Sequence, residues 1–340
     1  MGALRNSTKS LLVAVLLVGS CSGASGNVVE TVPGPPSTTA MSPAAASYIE
    51  EALGVVRDNY INTDLVDWGN IEQEVVDAAW GAQNPADTYE AIRLGLRLIP
   101  AGVGHFSSPL EAVSGPGHGF ADFDEPVVEL RSDGPGYVRV GKFIGDIGEE
   151  ADIYAAGLAA DILALNEQAC GWIVDLRVAT FGIQWPMLGG LAPLLSQGEL
   201  GGYTYADGSV DVLASEGGSV TLNGVPMVHN SLEDLSQSAV PVAVLVGSLT
   251  GLPGEAVAIA FLGQHDARIF GQPTRGHTAA IQTIELSDGA VIALTTARFT
   301  DRAGNQYGEL VPVEPDQPTP NPTATEQASI DWLLDQPACQ

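Results

Sequence analysis

The spacing of apolar and polar positions divides the chain into a helical beginning and a mixed remainder. From Ala44 to about Asn59 apolar residues recur at helical intervals (Ile49, Leu53, Val56, then Tyr60), which predicts a helix. Asp67-Trp68 opens a second helical stretch through Ile71, Val75, Val76 and Trp80. Asp87 is placed to cap a third, Thr88 to Leu98, with Ile92, Leu96 and Ile99 on one face and Pro100 as its stop. The aromatic residues of this region, Tyr48, Tyr60, Trp68, Trp80 and Tyr89, read as packing between helices.

Beyond Pro100 the period changes. Residues 112 to 134, with several glycines and acids, read as loop. Tyr137 to Phe143 alternates as a strand, Glu149 to Leu165 carries a helical stripe (Tyr154, Leu158, Ile162, Leu165), and Gly171 to Arg177 suits a buried strand. Strand, helix and strand in that order predict a parallel sheet in an α/β body. Gly198 to Ser238 is turn-rich with short alternating pieces, a β-rich excursion. Val242–Val246 is a second buried strand, followed by a turn at Gly247–Gly254 and an Ala-rich helix from Glu255 to Leu262. Strand, sharp turn and helix form the geometry on which hydrolases present a nucleophile, because the turn exposes one side chain beside free backbone N–H groups. A short strand at Ile269-Phe270, a strand at Ala290–Thr296 and a loop at Asp301–Gly308 follow. Gln317 to Thr325 reads as a proline-rich linker and Ile330 to Leu334 as a terminal helical turn.

The first residues change the picture of compartment. Arg5 and Lys9 precede an apolar run, Leu11 to Val18, that is short for a membrane span, and Val18-Gly19-Ser20-Cys21 has the form of a bacterial lipobox. An ordinary signal peptide with a coincidental cysteine is the other reading. Residues 22–44, rich in Gly, Ser, Thr and Pro, read as a flexible tether. Export permits disulfides, and after lipidation of Cys21 only Cys170 and Cys339 are left; one bond between them and two separate thiols are both open. A formal charge of −28, from 41 acidic against 13 basic residues, argues against nucleic acid and anionic lipid as partners and suits a solvated acidic surface. The histidines and cysteines have no metal-ligand spacing, and there is no phosphate loop or dinucleotide fingerprint, so no cofactor is expected.

Several separated stretches, in order, resemble peptidase family S41, the tail-specific or C-terminal-processing serine proteases. Gly171-Trp172-Ile173-Val174-Asp175-Leu176-Arg177 is similar to the family signature G-W-I-V-D-L-R, and Trp185-Pro186-Met187-Leu188 to the W-P-M-L that follows its glycine loop. Ala86-Asp87-Thr88-Tyr89-Glu90-Ala91-Ile92-Arg93 is similar to the A-D-T-Y-x-A-I-R of a bacterial branch, whose next loop holds a histidine general base. Here that loop reads Gly102-Val103-Gly104-His105-Phe106-Ser107. Asp301-Arg302-Ala303-Gly304-Asn305-Gln306-Tyr307-Gly308 is similar to a D-R-x-G-x-x-Y-G stretch before the pair matched by Pro315-Asp316. The resemblance spans roughly residues 45–316, with nothing like a PDZ domain. It implies a ClpP/crotonase-like core sheet with helices, preceded by a small N-terminal helical domain. The expected divisions are a lipoprotein signal peptide 1–21, the tether 22–44, a helical domain 45–105, the S41-like α/β domain 106–316 and a proline-rich tail 317–340.

The resemblance also says what chemistry to look for. The family nucleophile motif T-A-S-S-G-E falls on Thr250-Gly251-Leu252-Pro253-Gly254-Glu255, so the serine position holds Leu252. His105 takes the base position, with Glu309 as acidic partner, while the lysine of the classical tail-specific proteases falls on His277. The glycine loop that helps form the oxyanion hole becomes Val178-Ala179-Thr180-Phe181-Gly182, in which Val178, Ala179 and Phe181 replace the family's first glycine, its asparagine and one of its paired glycines. Glycine there permits φ > 0 and close substrate approach, which β-branched or aromatic residues resist. Two readings compete: an extracytoplasmic lipoprotein of this fold that has lost peptide hydrolysis and keeps its cleft for a peptide or unstructured protein segment, or an active serine peptidase using an unaligned nucleophile such as Ser248.

Overall fold

Capped helices open the folded chain in the computed structural model, which describes residues 40–99, 104–114, 122–229, 240–308 and 311–340. Helix α1 (Pro43–Asn59) starts where Ser42 Oγ accepts from Ala45 N, and α2 (Trp68–Ala78) where Asp67 accepts from Asn70 N. Ahead of α3 (Tyr89–Leu98) lies a 3₁₀ turn, Pro85–Thr88, capped by Asn84. Asp87 is therefore not the cap expected from the sequence: it is the third residue of a capping box, and its carboxylate reaches back to Asn84 N. Strand β1 (Gly104–Ser107) and α4 (Pro109–Ser114) follow.

The body runs on through β2 (Asp122–Phe123), β3 (Val127–Leu130), β4 (Gly136–Arg139), β5 (Phe143–Ile144), α5 (Glu149–Asn166), β6 (Trp172–Asp175) and α6 (Gln184–Gly190). Next come β7 (Gly198–Tyr205), β8 (Val210–Glu216), β9 (Ser219–Leu222), β10 (Val225–Pro226), β11 (Val242–Val246), α7 (Pro253–Phe261) and β12 (Ala267–Gly271). The chain closes with β13 (Ala279–Glu285), β14 (Val291–Asp301), β15 (Gln306–Tyr307), β16 (Gln317–Pro318) and α8 (Pro322–Leu334).

Two compact units result. The first comprises the chain to Gly115 together with Ile281–Thr295, so the N-terminal helices are completed by a distant hairpin that local periodicity does not link to them. Its core joins Tyr48, Ile49, Leu53 and Val56 of α1, Ile71 and Val75 of α2, Ile92 and Leu96 of α3, and Leu286, Ile292 and Leu294 of the hairpin. β1 pairs antiparallel with the start of β14, His105 opposite Ala293. Trp80 departs from the expected packing role: it is 60% exposed. Helix α2 ends at Ala78, and the small Ala79 and Ala82 take the buried positions, which turns the indole outward.

The second unit, Pro116–Ala280 with Thr296–Gln340, is built on a sheet of order β16-β12-β11-β6-β4-β3, parallel except for the β3–β4 pair. Val174 and Val244 are direct neighbours in it. Every residue of β6 and β11 is buried, as parallel strands covered on both faces require. Ile173, Ala243, Leu245 and Phe270 pack against Ile330 and Leu333 of α8, while α5 packs on β3 and β4, and α7 on β11 and β12. The residue 198–238 excursion supplies the antiparallel ladder β7–β8–β9–β10, to which the later residues of β14 add at Ala297↔Tyr205.

Three expectations fail here for physical reasons. Residues 112–134 contain β2 and β3, strands too short to show a period. The Tyr137–Phe143 strand breaks at Gly141, whose backbone lies so close to Asp124 that an added Cβ would sit 2.2 Å from the Asp124 carbonyl oxygen. The tail is no linker: Gln317-Pro318 extends the sheet beside β12, Asn321 caps α8, and Cys339 is disulfide-bonded to Cys170. Proline is tolerated at an edge strand and at a helix's first turn, where its missing N–H costs little, so the proline-rich composition concealed both elements.

Candidate functional site

The turn between β11 and α7 is held from beneath. Buried Thr250 donates its hydroxyl to Leu176 O at 2.8 Å and accepts from Gly247 N at 3.0 Å, which ties the turn to the end of β6. That hydroxyl is already committed and cannot serve as a nucleophile. The loop after β6 lies directly on the turn: Gly251 N donates to Ala179 O at 3.2 Å and Thr180 Oγ1 to Leu249 O at 2.8 Å. A Cβ on Gly254 would stand 2.4 Å from Ala179 O, so only glycine allows this approach.

Leu252 sits at the apex with φ 41° and ψ −107°, a conformation bulky residues avoid and one that costs on the order of 1–3 kcal/mol. This is the strained strand-to-helix elbow that lifts one side chain clear of the sheet. The lifted side chain is an alkyl group. Pro253, at the first helical position, has no N–H, and Gly254 N is bonded to Gly251 O at 3.0 Å. The amide that ordinarily follows a nucleophile and faces an oxyanion is thus absent.

Phe181 and Gly182 complete the loop facing this turn. Gly182 has φ 118°, and its backbone presses on Phe143 so that an added Cβ would lie 2.1 Å from Phe143 O. Phe181 is 37% exposed, Val178 59% and Leu249 52%, which gives the elbow an apolar rim. Ser248 is exposed beside Leu249.

Sequence reasoning missed the group that organises the far side of the elbow. Glu255, fully buried in the first turn of α7, accepts hydrogen bonds from Thr274 Oγ1, Gly276 N, His277 N and Thr278 Oγ1. One carboxylate therefore fixes the whole Thr274–Thr278 segment, with the His277 side chain exposed. The signal was a lone acid at the head of an otherwise apolar helix, Glu255 before Ala256–Phe261. The signature residues Asp175 and Arg177 likewise pair with each other. Asp175 accepts from Arg177 Nε at 2.9 Å and from Tyr137 Oη at 2.8 Å, while Arg177 Nη1 reaches Pro322 O at 2.8 Å on α8. The Asp175 carboxylate holds the Arg177 guanidinium above its ordinary pKa.

His105 belongs to the first unit. It is exposed on β1, and the adjoining Phe106 is fully buried beneath the Arg93 guanidinium, 5.3 Å from the ring, and against Tyr89. Arg93 also bridges Glu90 and Glu111. Hydrogen bonds from Ser108 hold the Glu111 carboxyl below its usual value. At the hairpin turn Asp288 accepts from both Tyr48 Oη at 2.7 Å and Tyr89 Oη at 2.5 Å. Burial and these hydrogen bonds push Tyr89 up to about 12 and Tyr48 further. Burial opposes ionisation of Asp288, but the donors from Tyr89, Ala290 N and Tyr48 outweigh it and hold its carboxyl below the ordinary value. Leu252, Phe181 and Gly182 lie together in the second unit; Glu309 and Cys21 lie outside the described residues. Among the described residues no three His, Cys, Asp or Glu side chains are placed to hold a metal ion.

Comparison with known proteins agrees with this architecture. The profile of peptidase family S41 matches residues 134–319. The nisin-resistance protein of Lactococcus lactis subsp. lactis is 27% identical over 294 residues, 86% of this chain and 88% of that one. Among solved structures, a lipoprotein from Streptococcus agalactiae superposes with TM-score 0.66 at 22% identity, over 86% of this chain and 96% of that one. The photosystem II D1 C-terminal processing protease does so with TM-score 0.59 at 17% identity, over 88% and 99%.

Proposed function

Since the chain belongs to peptidase family S41, we propose that it is an exported lipoprotein, anchored through Cys21 on the extracytoplasmic face of a bacterial membrane, that has lost peptide hydrolysis and binds peptide at the former active site. The observation that carries this reading is Leu252. The backbone keeps a strained nucleophile elbow, φ 41°, while the side chain has neither proton nor lone pair to offer. Pro253 withholds an oxyanion donor as well, so two independent requirements of acyl transfer fail at adjacent residues. A strained turn persists only when its surroundings over-determine it, and here Thr250, Ala179, Gly254 and Glu255 do so. The rim of Val178, Phe181 and Leu249 suits apolar side chains of an extended peptide or unstructured protein segment.

The anchor reading rests on the lipobox form of Val18–Cys21 and on likeness to a lipoprotein and to a protein named for nisin resistance. No helix among the described residues is long and apolar enough to cross a membrane.

Purified wild-type protein should take up no fluorophosphonate probe and leave unstructured peptides intact, yet bind them, with binding weakened by Leu249→Asp on the exposed rim. Stoichiometric labelling that maps to one residue, Ser248 foremost, would make the protein an active hydrolase and overturn the reading.

A further inference from the structure

The described residues begin at a corner of the first unit where two stretches, 40–49 and 78–86, come together without a charged side chain. Ser42 N donates to Ala82 O at 2.9 Å, Ser42 Oγ to Gln83 O at 2.7 Å, and Gln83 Nε2 to Ala40 O at 3.1 Å. Residues 40–42 are thereby pinned beside the turn that ends α2. On that turn Trp80 is 60% exposed, and Val76, in the last turn of α2 before it, is 38% exposed. In a chain of charge −28, neither residues 40–49 nor residues 78–86 contain a charged side chain. The acids that bound the second stretch are engaged locally. Asp77 accepts from Gln73 Nε2 at 2.9 Å, and Asp87 closes the capping box.

An exposed indole combines a large apolar body with an N–H, the pairing that favours the membrane–water interface. An acidic protein held near an anionic leaflet is repelled by it within about a Debye length, roughly 8 Å in physiological salt, and a charge-free corner is the part that approaches at least cost. The covalent path leads to the same corner: 19 residue steps separate Cys21 from Ala40, so it stays within roughly 65 Å of the lipidated cysteine whatever course the chain takes.

We propose that this corner, Trp80 and Val76 beside the start of α1, is the face that seats on the lipid bilayer. The proposal rests on the lipid-anchor reading above and adds to it a contact surface in the folded body. The anchor supplies a high local concentration, and Trp80 enters the interface.

The test uses the full lipidated chain reconstituted in phosphatidylcholine–phosphatidylglycerol vesicles whose acyl chains are brominated, since bromine quenches tryptophan fluorescence by contact. The chain has five tryptophans, of which Trp172 and Trp185 are fully buried. Wild-type emission should be quenched and blue-shifted on the vesicles. Trp80→Phe should still float with them but lose most of the quenching, and Val76→Glu, which keeps the indole, should also float and lose it. A floating wild type without quenching, or equal quenching in Trp80→Phe, overturns the contact and leaves the anchor standing. A wild type that fails to float, as Cys21→Ala should, overturns the anchor and the contact with it.

Discussion

Pro253 separates two explanations of the proposed loss of hydrolysis: a missing nucleophile alone, or a missing nucleophile and a missing oxyanion donor. Leu252→Ser restores the hydroxyl at the apex, and the backbone there already holds φ 41°, so the serine meets no strain the leucine did not. The residue after it still has no N–H. Of the neighbouring amides, Gly251 N and Gly254 N are engaged with Ala179 O and Gly251 O. Adding Pro253→Ser returns one amide at the first position of α7, where an N–H has no intrahelical partner and is free to face an oxyanion. One such donor contributes about 3 kcal/mol to the transition state, roughly a hundred- to a thousand-fold in rate. The second-order labelling rate with a fluorophosphonate should therefore rise by about that factor from Leu252→Ser to Leu252→Ser/Pro253→Ser. Base and glycine loop are the same in both variants, so the ratio isolates the amide. Adding Phe181→Gly and Val178→Gly should raise it further, and non-additively, because nucleophile, base and oxyanion donors act as a unit. Equal labelling of the single and double variants, with both folded by circular dichroism, would refute the assignment of the missing donor to Pro253.

Three further expectations concern stability. Glu255→Gln presents an amide NH₂ to a site lined by four donors and should cost about 3 kcal/mol, read as a lowered urea midpoint together with faster hydrogen exchange across 274–278; an unchanged midpoint would show the segment is held by other contacts. Cys170→Ser/Cys339→Ser opens a cross-link between residues 169 apart, for which chain entropy gives an upper figure of about 5 kcal/mol, and the variant should unfold at the same denaturant concentration as the reduced wild type. The Asp288 clasp should narrow the pH range of the first unit from both sides. Its lowered carboxyl contributes stability present above the ordinary 3.8 and lost as pH falls through the folded value; the raised Tyr89 contributes stability present below 10.0 and lost as pH rises toward about 12. Tyr89→Phe should flatten the alkaline limb of stability against pH, and an unaltered limb would contradict the role given to that hydroxyl.

Where structure is local, residue order carried it. The first helices, α5, the strands β6 and β11 and the elbow before α7 follow from apolar spacing and turn residues, because each depends on neighbours within a few positions. The signature Gly171–Arg177, and a leucine at position 252 where the family motif has serine, were equally plain, since a motif is a statement about order alone.

Only the folded chain could decide what depends on distant partners. The hairpin Ile281–Thr295 joins the N-terminal helices through contacts such as Tyr48 with Asp288, 240 residues apart, which no window of sequence contains. Cys170 meets Cys339 because α8 seats on the parallel sheet, although its prolines suggested a linker. Trp80 faces outward because α2 ends two residues before it. At the elbow, the sequence showed a leucine at position 252, but the contacts that hold the strained turn in place come from Ala179, Gly254 and Glu255 closing around it. Order along the chain names the groups available for chemistry; packing sets the directions in which they point, because each direction is a compromise among contacts far apart in sequence.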